Sequence, residues 1–229
     1  MPRNPVAVMS IVSTPMAARV AEHWGVEMRR VLTGFKYIGD VMNQLVSAGE
    51  PERFLMGFEE SCGYLTGMHV RDKDAVTASL ILTEMAAWYA VQGMTLFDAL
   101  EALYRKYGFY GEKTHNLVMP GLDGLEKMAQ LMRDLRADPP AAIAGVEVLR
   151  RKDYTDGSVI DCRTGEKSAM ELSGSNVLRY ELADGTTILV RPSGTEPKIK
   201  VYVLTIGENP AARDGNLRKY GEWVKTLQR

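Results

Sequence analysis

Thr187-Ile188-Leu189-Val190-Arg191-Pro192-Ser193-Gly194-Thr195-Glu196-Pro197-Lys198-Ile199-Lys200-Val201-Tyr202-Val203-Leu204 reads as two β-like runs, 187–190 and 199–204, joined by a tight loop. The loop has the chemistry of an anion cradle. Gly194 lets backbone come close to a ligand, Ser193 and Thr195 offer hydroxyls, and Arg191 offers a planar fork matching phosphate oxygens. Pro192 and Pro197 fix φ on either side, so little ordering entropy is lost when an anion docks. An ordinary Ser-Gly-Pro turn has the same composition, and the loop alone leaves both readings standing.

Working outward, Ala183-Asp184-Gly185 is a hairpin turn between Val177–Leu182 and Thr186–Val190, because Asp-Gly suits positive φ. Val146–Tyr154 reads as a further strand, Leu122–Leu135 as an amphipathic helix stopped by Ala137-Asp138-Pro139-Pro140, and Asn216–Leu227 as a last helix. This is an α+β pattern with antiparallel pairing. The first half has another rhythm. Strands at Val6–Val12, Val26–Leu32 and Arg53–Phe58 alternate with helices capped by Thr14-Pro15, following Thr33-Gly34, and opened by Asp74 and by Thr95 with Asp98. Such alternation means βαβ units and a mostly parallel sheet. The expected organisation is an α/β domain over 1–115 and an α+β domain with an antiparallel sheet over 116–229, the switch falling between Gly111 and Pro120.

The 229 residues, 45% hydrophobic and 25% charged, are those of a globular chain with a real core. A net charge of −1 provides no field to hold nucleic acid or an anionic membrane, so neither is an expected partner. Two cysteines make no disulfide framework, and no apolar run reaches membrane-spanning length; the expected location is the cytoplasm. Cys62, beside Glu60, reads as a packed thiol, and the apolar residues of Leu80–Tyr89 as core. His23, His69 and His115 lack ligand spacing, and Asp153-Tyr154-Thr155-Asp156-Gly157 falls in a turn, so no metal site is expected.

Ligands of open α/β sheets bind outside the carboxyl ends of strands. Gly57-Phe58-Glu59-Glu60-Ser61-Cys62-Gly63 lies at such an end, with Glu59 and Ser61 two apart on an extended segment and able to grip sugar hydroxyls. The competing reading is a solvated acidic turn. Lys36, in Thr33-Gly34-Phe35-Lys36, and Lys73, in Arg71-Asp72-Lys73-Asp74, add cations near that edge; both stretches also suit solvated surface.

These motifs, in this order, carry a resemblance to a family. The chain resembles the C-terminal half of the α-D-phosphohexomutases, the phosphoglucomutase/phosphomannomutase enzymes. The motifs are Thr33-Gly34-Phe35-Lys36-Tyr37-Ile38-Gly39, Gly57-Phe58-Glu59-Glu60-Ser61-Cys62-Gly63-Tyr64 and Arg191-Pro192-Ser193-Gly194-Thr195-Glu196-Pro197-Lys198. The resemblance implies a sugar-recognition domain, in which Glu59, Ser61 and Lys36 contact the hexose. It implies a phosphate-binding C-terminal domain, in which Arg191, Ser193, Gly194 and Thr195 hold the substrate's non-reacting phosphate. Lys73 aligns with a position used near the reacting groups, as proton donor or electrostatic stabiliser.

The implied activity interconverts glucose 1-phosphate and glucose 6-phosphate, and by extension mannose phosphates. It runs through a phosphoserine, Mg²⁺ and a glucose 1,6-bisphosphate intermediate. The family's phosphoserine loop and Asp-rich metal loop have no counterpart among these residues, so the expectation is recognition without turnover by this chain alone. An N-terminal half, on the same or another polypeptide, is the implied partner. A phosphopentomutase of the same superfamily and a non-catalytic phosphosugar-binding module are the alternative readings.

Overall fold

A computed structural model describes residues 2–121, 123–194 and 196–228. The chain divides after Gly108 into two compact units. The first contains β1 (Val6–Ser10), α1 (Pro15–His23), β2 (Glu27–Val31), α2 (Phe35–Ser47), β3 (Phe54–Glu59), β4 (Gly63–Thr66), α3 (Ala75–Val91) and α4 (Leu96–Tyr107). Its sheet has the order β2-β1-β3-β4; the first three strands are parallel, and β4 folds back antiparallel on β3.

Every residue of β1 is buried, as suits the inner strand between β2 and β3. The apolar stripe of α2, Phe35, Ile38, Val41, Met42 and Leu45, packs with Val6, Val8, Phe54 and Leu65. Gly57 makes this contact possible: a Cβ there would stand 2.3 Å from Ile38 Cγ2. The expected caps form. Thr14 accepts from the Met16 N–H, Asp74 from those of Val76 and Thr77, and Thr95 with Asp98 makes a capping box.

Two expectations for this unit need correction. Cys62 is an exposed thiol with φ 51°, because it closes the three-residue turn between β3 and β4. The run Leu80–Tyr89 is not core: no residue of α3 is buried, although the helix touches β4 and α4.

The second unit holds β5 (Phe109–Val118), α5 (Gly124–Ala137), β6 (Ala142–Ile143), β7 (Val146–Asp153), β8 (Ser158–Asp161), β9 (Lys167–Ala169), β10 (Leu178–Leu182), β11 (Thr187–Pro192), β12 (Lys198–Gly207) and α6 (Pro210–Thr226). The main sheet runs β5-β12-β11-β10-β7-β8-β9, antiparallel throughout, with β6 paired to β7. Helices α5 and α6 supply Met128, Met132, Leu135, Tyr220 and Val224 to its core.

The expected switch at 111–120 is instead the edge strand β5, paired over ten residues with β12. Its exposed residues Glu112, Lys113 and Thr114 hid the alternation of a strand. Helix α6 begins earlier than expected, where the Asn209 side chain accepts the Ala212 N–H and Pro210 fills the first turn. No helix among the described residues is long and apolar enough to cross a membrane.

Three half-buried carboxylates tie this sheet together. Burial opposes the charge of Asp153, but Arg136 at 2.6 Å and the Thr155 N–H hold its carboxyl below its usual range. Burial likewise opposes the charge of Glu181, but Lys152 at 2.7 Å and Arg179 at 3.0 Å hold its carboxyl below its usual range. Asp184 is lowered despite burial by the Tyr220 hydroxyl and the Thr186 N–H.

Depressed folded-state pKa values stabilise above the unfolded values and are lost as pH falls through them. The urea midpoint, read on Val190 and Val203 methyl resonances, should therefore hold down to about pH 5 and fall from there toward pH 3. A midpoint unchanged at pH 3 would show that these pairs contribute nothing to stability.

Candidate functional site

At the carboxyl edge of the first sheet, Glu59 ends β3 and its Oε1 accepts the Gly34 N–H at 2.7 Å. Gly34, at φ 130°, caps α2, so this bond joins two of the loops singled out in the sequence, across 25 residues. Gly63 lets them close: a Cβ there would lie 3.3 Å from Glu59 Cβ and 3.4 Å from the Phe35 ring. The Lys73 ammonium stands 5.0 Å over that same ring and 2.8 Å from Asp72, which holds the Asp72 carboxyl below its usual range. Glu59, Phe35 and Lys73 therefore share one corner.

Lys36 is exposed and lies 4.8 Å over the Tyr37 ring. Ser61 does not share an extended segment with Glu59, because the chain turns at 60–62; it is exposed in that turn.

The sequence reading missed the floor of this edge. Ser10, fully buried at the end of β1, lies 2.9 Å from the Ser13 hydroxyl and donates to Glu60 Oε2 at 3.3 Å. Two serines closing the apolar run 6–13 were the available signal. Thr33 adds a buried hydroxyl with no hydrogen-bond partner among the described residues. The edge thus presents a carboxylate with one oxygen anchored and the other able to accept, a cation, and the exposed Ser61 hydroxyl. That set can hydrogen-bond a polyhydroxylated ligand.

In the second unit, β11 and β12 are longer than the sequence runs implied, and Arg191 belongs to the ladder opposite Lys200. Its backbone is fixed, which leaves its half-buried side chain as the working group. The loop is tied by the Ser193 N–H donating to the Lys198 carbonyl at 2.8 Å and by the Glu196 N–H donating to Ser193 Oγ at 3.3 Å. Lys198, a second loop cation that the sequence reading left unassigned, pairs with the Glu196 carboxylate. Around Gly194 the backbone is open: a Cβ would meet no atom of the described residues beyond its chain neighbours within 4 Å. Thr195 lies outside the described residues. An arginine, a lysine and open loop backbone on one hairpin can hydrogen-bond an oxyanion.

No group of three or more His, Cys, Asp or Glu among the described residues could hold a metal. Asp153 is engaged by Arg136, and Asp156 accepts the Ser158 N–H. These donors do not fit a Mg²⁺ site.

The sequence matches the family description "Phosphoglucomutase/phosphomannomutase, alpha/beta/alpha domain III" over residues 1–107 and "Phosphoglucomutase/phosphomannomutase, C-terminal domain" over 122–205. A phosphoglucomutase of Staphylococcus aureus is 37% identical over 201 residues, which is 88% of this chain and 36% of that protein. The chain thus spans about a third of the length of such relatives.

The structure resembles parafusin, a phosphoglucomutase of Paramecium, with TM-score 0.62, 19% identity and coverage of 97% of this chain and 38% of that one. It also resembles a phosphoglucomutase/phosphomannomutase family protein from Burkholderia thailandensis, with TM-score 0.52, 18% identity and coverage of 99% and 39%. At these identities the structural likeness concerns the fold. The matches over both units show that this chain belongs to the phosphoglucomutase/phosphomannomutase family.

Proposed function

We propose that the two units supply substrate recognition to a phosphohexomutase that interconverts glucose 1-phosphate and glucose 6-phosphate. The observation that carries the reading is Glu59, anchored by Gly34 with its other oxygen able to accept, beside Lys73 at one strand edge. Glu59 and Ser61 grip sugar hydroxyls, and Lys36 contacts the hexose from the next loop. Lys73 stabilises charge near the reacting groups. Arg191, Ser193, Gly194 and Thr195 hold the non-reacting phosphate. Family membership supports this assignment of roles. Mannose phosphates are a second substrate on the same reading.

Phosphoryl transfer depends on positioning and charge stabilisation. On this proposal the phosphoserine and Mg²⁺ belong to an N-terminal half, and glucose 1,6-bisphosphate reorients between the halves. The 229-residue chain then binds hexose phosphate and turns over none. A coupled assay with Mg²⁺ and glucose 1,6-bisphosphate tests this; efficient turnover by this chain overturns it.

The binding test is an NMR titration with glucose 6-phosphate beside inorganic phosphate. Shifts near Glu59 that appear only with the sugar phosphate support the reading, and their absence at millimolar ligand removes it. Glu59→Gln keeps an acceptor for the Gly34 N–H and drops the charge. It should leave the melting temperature unchanged and weaken sugar phosphate binding about tenfold. Unchanged binding would move the sugar contact elsewhere.

A further inference from the structure

Helix α3 leaves Val76, Leu80, Ile81, Leu82, Met85, Trp88 and Val91 between 40% and 90% exposed. A helix apolar on every side belongs in a core. Soluble monomers rarely leave a contiguous apolar patch of more than a few hundred Å². The same unit carries the complementary feature. A groove of about 610 Å³ opens between α1, the sheet and α4, lined by apolar side chains that include Val20, Val26, Met28, Leu55, Phe58 and Leu103. No residue of α3 lines it.

Both ends of α3 are pinned. At its start, the Asp74 N–H donates to the Tyr64 carbonyl at 2.8 Å, and the Asp74 carboxylate holds the first turn and the His69 ring at 2.7 Å. Beyond its end, Thr95 caps α4, and α4 is fastened to α1. There Lys106 Nζ lies 2.9 Å from His23 Nε2, and the His23 and Tyr107 rings meet edge-on at 5.6 Å. The helix is therefore held off its own groove, and the groove stays open.

We propose that two copies of this chain pair through this surface, each seating α3 in the groove of the other about a two-fold axis. One copy supplies both halves of the contact, which is what a closed isologous interface needs. The seven exposed α3 side chains present on the order of 700 Å², close to the roughly 800 Å² that each partner gives to a stable interface. The inference is independent of the phosphosugar reading.

The test measures mass by light scattering on the 229-residue chain with Cys62 and Cys162 replaced by serine. A dimer at micromolar concentration is expected. A Leu82→Cys chain mixed with a Val20→Cys chain should then be joined by a short bis-maleimide into a mixed dimer. Trp88→Lys should raise the dimer dissociation constant at least about a hundredfold and leave the far-ultraviolet circular dichroism unchanged. A monomer overturns the proposal, as does a dimer that never links position 82 to position 20 of the other copy. Loss of the first unit's fold in Trp88→Lys also overturns it, because α3 would then belong to its own core.

Discussion

Arg191→Ala should weaken hexose phosphate binding roughly ten- to a hundredfold or more, the cost of losing a charge-assisted contact worth about 1.5–3 kcal/mol. The fold should hardly change, because the Arg191 backbone keeps its place opposite Lys200 in the ladder. Arg191→Lys should recover only part of the loss, since an ammonium keeps the charge and loses the fork. Gly194→Ala isolates the close approach of backbone to ligand. Among the described residues beyond its chain neighbours, no atom lies within 4 Å of the added methyl, so weaker binding at unchanged stability would place the ligand against that backbone. Calorimetric titration with glucose 6-phosphate and with inorganic phosphate reads all three variants. Equal affinity of Arg191→Ala and the parent chain would put the phosphate elsewhere.

Gly57→Ala should damage both the stability of the first unit and its sugar-facing edge. The new methyl would sit 2.3 Å from Cγ2 of Ile38, which is fully buried. A β-branched side chain in a helix has essentially one χ1 rotamer, so Ile38 cannot swing aside. Helix α2 must lift or β3 must shift, at about 1–3 kcal/mol or more. The Glu59–Gly34 bond spans these two elements and should be disturbed by the same movement. The thermal midpoint and the Gly34 amide resonance report the two effects. Ile38→Ala in the same chain should show strong non-additivity with Gly57→Ala, because it removes the colliding atom. Simple additivity would mean the strain lies elsewhere.

Local chemistry made much of this fold legible. Thr14-Pro15, Asp74, Thr95 with Asp98, and Asp184-Gly185 each announce a cap or a turn through hydrogen bonds made within a few residues. Strand β4 escaped because its turn uses Cys62 at positive φ, where glycine or asparagine would have signalled it. Strands β8 and β9 are short, and neither holds a buried residue, so they lack the alternation of a core-facing strand. Apolar composition says that α3 requires a cover; it does not say which surface provides one. At the site, residue types pointed to Glu59, Lys73 and Arg191. The Glu59–Gly34 bond and the Ser10–Ser13–Glu60 floor join residues as much as 50 apart in sequence, and only the folded chain brings them together.

The pairing of β5 with β12 also sets an order of events during synthesis. Strand β5 leaves the ribosome first among the second unit's strands and receives its neighbour last, ten residues of it, some eighty residues later. Until Lys198–Gly207 arrives, its backbone donors and acceptors have only water or another nascent chain to bond. The first unit can consolidate at once, whereas the second must wait for nearly its whole length and close a long loop. Its charged residues Glu112 and Lys113 then serve a purpose beyond the finished sheet, since charges on a waiting edge discourage pairing with other chains.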